Sequence, residues 1–245
     1  TGIISASVNA AMSITANSST ATFTADELIL ENVIGGTQYR LNNLNLAINL
    51  STVGAGGMDT GSAPASGYVA AYVITGTGKT PALLGWNATS AKASEAYSGT
   101  NMPSGYTTSA LVAVVPTNSL GQFIAGTHVR GRRVSRTPVT CLTTMSNPGG
   151  YTSIPLGTAV PPNAKAARGY MFCNSGSGTG SATFVVAEDV NGAGWAQAYA
   201  GTTGALGTDI TFNFQLITTQ TLFYTFTWST SGASQAVLGI SGYEF

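Results

Sequence analysis

The chain has 245 residues and a formal net charge of zero, with 43% hydrophobic residues and only 7% charged ones, against about 25% charged residues in ordinary soluble domains. Disordered chains combine low hydrophobicity with high net charge, so this composition indicates a folded protein. A net charge of zero also gives no long-range attraction to nucleic acid or to anionic lipid. Because no run of about 20 apolar residues occurs, we expect no transmembrane helix and no membrane insertion.

The first half of the chain is predicted to be β-structure, because short apolar segments alternate with turn residues. Ala25–Leu28 is also compatible with one helical turn, and Gly76–Thr80 is typical of a hairpin tip. The predicted strands are Ile3–Ala16, Thr20–Glu31 (one bent strand or a pair), Gln38–Leu41, Leu44–Leu50, Tyr68–Thr75, Pro81–Trp86, Leu111–Val115 and Gln122–Val129.

A cluster of arginines ends this first half. The cluster consists of Arg130, Arg132, Arg133 and Arg136. Since no aromatic residues are interleaved with them, we expect no nucleic acid here. We expect them to pair with Asp26, Glu27 or Glu31, or with a neighbouring subunit.

The charge balance of the chain changes from basic to acidic after the arginine cluster. We therefore place a domain boundary there and predict domains at residues 1–136 and 137–245.

The segment Thr208–Phe245 has the clearest pattern in the chain. Apolar residues occupy every second position in three series, Ile210–Leu216, Leu222–Trp228 and Ala236–Ile240. Such alternation predicts three strands, each with one apolar face and one hydroxyl-rich face. We expect these strands to form a meander that buries its aromatic face. Together with the turn signals before it, the pattern predicts an antiparallel β-sandwich for residues 137–245.

The low charge also bears on assembly. A surface with so few charged groups is poorly protected against association if all of it is exposed to water. We therefore expect identical chains to cover part of one another's surface. The alternative is a monomer whose neutral surface is carried by Thr, Ser and Asn side chains.

The sequence gives no sign of catalysis. A serine hydrolase needs a base beside its nucleophile, but His128 is the only histidine and no G-x-S-x-G motif occurs. Glu188 and Asp189 are adjacent, so on a strand they would point to opposite faces and could not flank one glycosidic bond. Cys141 and Cys173 lack the spacing of metal or redox sites, and we expect buried thiols. We predict no catalytic residue, no metal and no cofactor.

Aromatic residues in a polar loop provide the best indication of binding. Trp195 and Tyr199 lie close in sequence to Asp189 and Asn191. Sugar recognition combines flat rings, which cover C–H groups, with amides and carboxylates, which bind hydroxyl groups. We therefore name these four residues as candidate glycan-binding residues, the alternative being ordinary packing within the sandwich.

Seven phrases of the chain are considered together: Ala21–Leu28, Gln38–Leu41, Gly54–Gly61, Asn101–Tyr106, Val115–Asn118 with Gln122–Phe123, Val160–Ala164 and Ile240–Tyr243. As a set they resemble the C-terminal region of tail fibre proteins from tailed bacteriophages and prophages. The first five phrases lie within residues 12–136, and the second half of the chain is matched only at its start and end.

This resemblance implies an all-β homotrimer, intertwined or side by side, at the distal end of a virion's tail fibre, made in the host cytoplasm. Residues 1–136 would be a proximal fibre domain and residues 137–245 a distal receptor-binding tip. The implied partner is a bacterial surface polysaccharide, such as lipopolysaccharide, or an outer-membrane receptor. The remaining alternatives are a tailspike-type depolymerase that cleaves capsule or O-antigen, and a purely structural fibre segment. The chain, which begins at Thr1, is expected to be part of a longer protein.

Overall fold

The computed structural model describes residues 2–176, 180–201, 207–229 and 234–245. These residues form β-strands, turns and loops without a helix, so the prediction of an all-β protein is confirmed. Among them no helix is long and apolar enough to cross a membrane. The chain divides into two compact units. Unit 1 comprises Thr1–Arg136 and Pro161–Asn163, and unit 2 comprises Thr137–Val160 and Ala164–Phe245.

Unit 1 is built on one extended sheet. Its strands are Ser7–Val8 (β1), Ala11–Ile14 (β2), Thr20–Glu31 (β3), Gln38–Asn49 (β4), Gly57–Met58 (β5), Tyr68–Thr75 (β6), Ala82–Asn87 (β7), Thr108–Pro116 (β8) and Thr127–Arg130 (β9), followed by the start of Arg133–Thr144 (β10). The order across the sheet is β10-β9-β2-β3-β8-β6-β7-β5, and β1 and β4 also pair with β3.

The centre of this sheet lies in β6 and β8, which are buried along their whole length. Their sequences, YVAAYVIT and TSALVAVVP, are almost continuously apolar, as expected of strands covered on both faces. β6 pairs antiparallel with both β7 and β8. This arrangement places Tyr72 of β6 and Trp86 of β7 in the same part of the unit, next to the segment 88–107 that connects β7 to β8.

Unit 2 contains two antiparallel sheets. Its further strands are Thr152–Pro155 (β11), Ala166–Asn174 (β12), Ala182–Ala187 (β13), Ala196–Ala200 (β14), Gly207–Gln215 (β15), Thr221–Trp228 (β16) and Gln235–Glu244 (β17). One sheet has the order β15-β12-β17-β10, and the other β11-β16-β13-β14. β12 packs against β13 and β14, so the two sheets form the predicted sandwich.

The core of the sandwich consists of the apolar residues at alternate positions of these strands. Phe184 of β13 is fully buried and makes edge-to-face contacts with Tyr224 and Phe226 of β16, with ring centroids 6.1 and 6.2 Å apart. Met171 of β12 and Leu238 of β17 are fully buried on the facing sheet. Each edge-to-face pair of rings contributes about 0.5–1.5 kcal/mol beyond its buried area.

The three strands predicted after Thr208 are present, but the predicted meander is wrong. β15 and β17 both pair with β12, whereas β16 lies in the other sheet between β11 and β13. Alternation identifies a strand and its faces but carries no information about its neighbours. Residues 230–233, between β16 and β17, lie outside the described residues.

Two local predictions in unit 1 are also corrected. Ala25–Leu28 lies inside the continuous strand β3 and forms no helical turn, because Ala25, Glu27 and Leu28 are paired with β4. The strand expected over Gln122–Val129 begins only at Thr127, and Phe123 forms isolated bridges to Ser18 and Thr117 instead.

Arg132 of the cluster has a different partner from those expected, and pairing of the cluster with a neighbouring subunit stays a prediction. Arg132 forms an ion pair with Glu95, and Glu27 forms its ion pair with Arg40. Asp26 accepts a hydrogen bond from the Asn9 amide at 2.6 Å. The partner of Arg132 comes from the segment 88–107, whose path could not be derived from the strand pattern.

The two cysteines are both thiols, and they differ in exposure. Cys173 of β12 is fully buried, and burial raises the pKa of its thiol. Cys141 of β10 is only half-buried, so the expectation of buried thiols holds for Cys173 alone.

Candidate functional site

The four-stranded sheet of unit 2 separates apolar from polar side chains by simple alternation. On β13, the inward positions Phe184 and Val186 are fully buried, while Thr183 and Val185, which alternate with them, are half-exposed. Successive side chains of a strand point to opposite faces, so the second set lies on the outer side of the sheet. The same alternation continues on β14 and β16.

We call this outer side the uncharged face. It consists of Thr183, Val185, Gln197, Tyr199, Phe223, Thr225 and Thr227. Cross-strand pairing places Thr183 between Tyr199 and Thr227 in one row of the sheet. Every residue of the four strands is described, and none is Asp, Glu, Lys, Arg or His. The face therefore presents hydroxyl groups, one amide and two aromatic rings, with no ionic group.

The loop of residues 188–195, which we call the Asp189 loop, joins β13 to β14 at one end of this sheet. The Asp189 carboxylate Oδ1 accepts hydrogen bonds from the backbone N–H groups of Asn191 and Ala193, at 2.9 and 2.8 Å. These bonds favour the ionised carboxylate, and the Ala193 N–H is the main reason that the pKa of Asp189 lies below its usual value. The backbone N–H of Glu188 donates to the Ala193 carbonyl at 2.9 Å and closes the loop.

Gly194 has a conformation that only glycine adopts easily, with φ at +60°. A side chain at this position would also collide with the carboxyl group of Glu188. That carboxyl group is itself held in place, because its Oε1 accepts a hydrogen bond of 2.7 Å from the Gln215 backbone N–H. The loop consequently has little freedom just before Trp195.

The structure places the four predicted glycan-binding residues in two different settings. Trp195 is 60% exposed and directly precedes β14, and Tyr199 is 48% exposed on that strand. Asp189 and Asn191 are joined to each other by hydrogen bonds within the loop. Both oxygens of the Asp189 carboxylate accept bonds from the loop itself, so this residue shapes the loop. Its role as a glycan ligand stays a prediction.

Sequence reasoning missed a concave site in unit 1. We call it the Trp86 cleft, and it is lined by Tyr72, Trp86, Lys92, Ser94, Tyr97 and Ser98, with a volume of about 200 Å³. The segment 88–107 lies between the predicted strands Pro81–Trp86 and Leu111–Val115 and was not predicted to have a structural role. Its length of some 20 residues between two strands is a signal of such a role, because ordered loops of that length are uncommon and usually functional.

Comparison with known proteins adds no assignment. No protein-family model matches the chain, and no curated protein sequence matches it significantly.

Proposed function

We propose that the chain is a non-enzymatic adhesion module of a phage tail fibre, and that it binds a bacterial surface glycan through the uncharged face and the adjoining Asp189 loop. The observation that carries the proposal is the chemistry of this face, in which four strands without a charged residue expose hydroxyl groups, an amide and aromatic rings. The resemblance to tail fibres supplies the setting, namely a homotrimer at the distal end of a virion's fibre.

Glycans are recognised by this combination of groups. The flat faces of rings such as those of Trp195 and Tyr199 cover the C–H surfaces of sugar rings, and polar side chains bind the hydroxyl groups. Thr183, Thr227 and the Gln197 amide supply both donors and acceptors beside Tyr199. A face without charges has no long-range electrostatic attraction for a charged polymer. It therefore suits sugars that are bound through ring contacts and hydrogen bonds better than highly charged polymers.

The residues of the uncharged face and of the Asp189 loop are already ordered, so binding should cost little conformational entropy. Tyr199 lies on β14, the edge strand, and its carbonyl oxygen accepts a hydrogen bond of 2.6 Å from the Thr208 hydroxyl. The Asp189 loop is closed by its own hydrogen bonds. Groups that are already ordered lose less conformational entropy on binding, which raises affinity.

Cell-binding assays on a panel of bacterial strains test the proposal. On a strain that the wild-type protein binds, Trp195→Ala and Tyr199→Ala should each weaken binding at least tenfold, since exposed aromatic residues are frequent hot spots. Tyr39→Ala is the matched control, because Tyr39 is an exposed strand tyrosine of unit 1, and it should bind like the wild type. Equal binding by all three variants would refute this site.

The two alternatives give different results in the same experiment. A depolymerase would release new reducing ends from polysaccharide of the bound strain, whereas an adhesion module leaves the polymer intact. A purely structural segment would bind none of the strains.

A further inference from the structure

The Trp86 cleft in unit 1 is distinct from the uncharged face. Half-buried Trp86 of β7, buried Tyr72 of β6 and buried Tyr97 form its aromatic part. Three other clefts of unit 1, of 280 to 450 Å³, have no aromatic side chain among their described lining residues. The Trp86 cleft thus combines a concave shape with rings and polar groups, which is typical of small-ligand sites.

The segment 88–107 forms one wall of the Trp86 cleft, and hydrogen bonds to residues distant in sequence hold it in place. Asn163 also belongs to unit 1 and is only 3% exposed. Its side-chain Oδ1 accepts a hydrogen bond from the Ala93 backbone N–H, and its Nδ2 donates to the Ala93 carbonyl, both at 2.8 Å. Glu95 in the same segment pairs with Arg132, and its carbonyl oxygen accepts the Leu111 backbone N–H at 2.9 Å. The wall is therefore fixed before any ligand arrives.

The two tyrosines are fixed by their hydroxyl groups. Tyr72 donates to the Ser94 carbonyl oxygen at 2.8 Å, and Tyr97 donates to Asp59 Oδ2 at 2.8 Å. Their rings meet edge to face with centroids 5.5 Å apart. Since both hydroxyl groups already have acceptors and both residues are buried, the two tyrosines support the base of the cleft, and its accessible ring surface is that of half-buried Trp86.

The polar groups of the Trp86 cleft lie in the wall formed by the segment 88–107. The Ser94 and Ser98 hydroxyl groups are 2.9 Å apart and hydrogen-bonded to each other. Lys92 is exposed, and among the described lining residues it is the one with a charged side chain. An ammonium group binds a carboxylate through charge-assisted hydrogen bonds, which are about twice as strong as neutral ones.

We propose that the Trp86 cleft binds one acidic pyranose residue, with the sugar ring against Trp86 and its carboxylate facing Lys92. The volume of about 200 Å³ admits a single sugar ring and no longer segment. Ring surface and serine hydroxyl groups suit the body of the sugar, and the lone lysine suits one acidic group. This site does not depend on the uncharged face, so it gives the chain a second and separate sugar contact.

Saturation-transfer NMR with sodium glucuronate and with glucose tests the proposal on the whole chain. Wild type should give transfer from glucuronate, and Lys92→Gln should weaken glucuronate binding about tenfold, because one charge-assisted bond is lost. Ser98→Trp should abolish it by filling the cleft, whereas Ser104→Trp, an exposed position in the same segment that does not line the cleft, should not.

Trp195→Ala separates this site from the uncharged face and should leave glucuronate binding unchanged. The proposal is overturned if wild type gives no transfer from glucuronate at about 50 mM, well above the millimolar dissociation constant of a weak complex. It is equally overturned if Ser98→Trp binds like wild type, or if glucose binds as tightly as glucuronate. All of the substituted positions are exposed, and far-UV circular dichroism checks that each variant is folded.

Discussion

The Tyr97 hydroxyl group donates a 2.8 Å hydrogen bond to the carboxylate of Asp59, and these side chains are only 9% and 8% exposed. They lie 38 residues apart in sequence. Asp59 directly follows β5, and Tyr97 belongs to the segment 88–107 and lines the Trp86 cleft. The bond therefore joins the connection between β5 and β6 to the wall of the Trp86 cleft.

Removing the acceptor should destabilise unit 1. Asp59→Ala leaves the buried Tyr97 hydroxyl group without its partner, and we expect the free energy of unfolding to fall by about 1.5–3 kcal/mol, the usual cost of losing a hydrogen bond to a charged group. Denaturant titration followed by fluorescence measures the change. The control is Glu27→Ala, which removes a more exposed ion pair with Arg40 and should cost about 1 kcal/mol or less. Equal losses for the two variants would contradict this role for Asp59.

The same pair predicts how stability depends on alkaline pH. Burial, and then the neighbouring Asp59, raise the pKa of Tyr97 to about 12, above its usual value of 10.0. Between these values the folded protein keeps a proton that the unfolded chain has lost, so its stability falls as the pH rises from about 10 to about 12. Unfolding free energies measured across this range should fall less steeply for Tyr97→Phe than for the wild type. Parallel pH profiles would show that Tyr97 does not contribute.

The sandwich of unit 2 offers a matched pair of phenylalanines. Phe184 of β13 is fully buried between the sheets, whereas Phe223 of β16 is half-exposed on the uncharged face. Phe184→Ala should lower the free energy of unfolding by about 3–5 kcal/mol, because it leaves a cavity. Phe223→Ala should cost no more than about 1 kcal/mol, as expected away from the core. Thermal and denaturant unfolding of both variants measures the difference, and the reverse order would mean that the faces have been assigned wrongly.

Alternation in the sequence was enough to predict the strands and their buried faces. The series of Leu222, Tyr224 and Phe226 predicted both β16 and the side of it that is buried. It could not predict that β16 lies in a different sheet from β15 and β17, because pairing depends on register and on long-range contacts that a period of two residues does not encode.

The loops were the least predictable part. The bonds between Asn163 and Ala93 join residues 70 positions apart in two segments without a periodic pattern. Nothing local in either segment distinguishes an anchored loop from a solvated one. For the same reason the Trp86 cleft was not predicted, whereas Trp195 and Tyr199 could be named as candidates because aromatic residues beside polar ones are visible within one short stretch of sequence.

The proposed homotrimer can be tested by light scattering coupled to size exclusion. Three chains of 24.8 kDa would give a particle of about 74 kDa. We expect this mass at micromolar concentration, because a chain with only 7% charged residues is poorly protected against association unless copies cover part of its surface. A stable particle with the mass of one chain would contradict the trimer.

Amide hydrogen exchange with and without lipopolysaccharide, extracted from a strain that the protein binds, tests the central claim most directly. We predict slower exchange in the presence of lipopolysaccharide along β13, β14 and β16 and in the Asp189 loop, with Tyr199→Ala losing this protection. Protection that appears only in unit 1, or none at a lipopolysaccharide concentration that saturates binding, would contradict the assignment of the uncharged face as the glycan-binding surface.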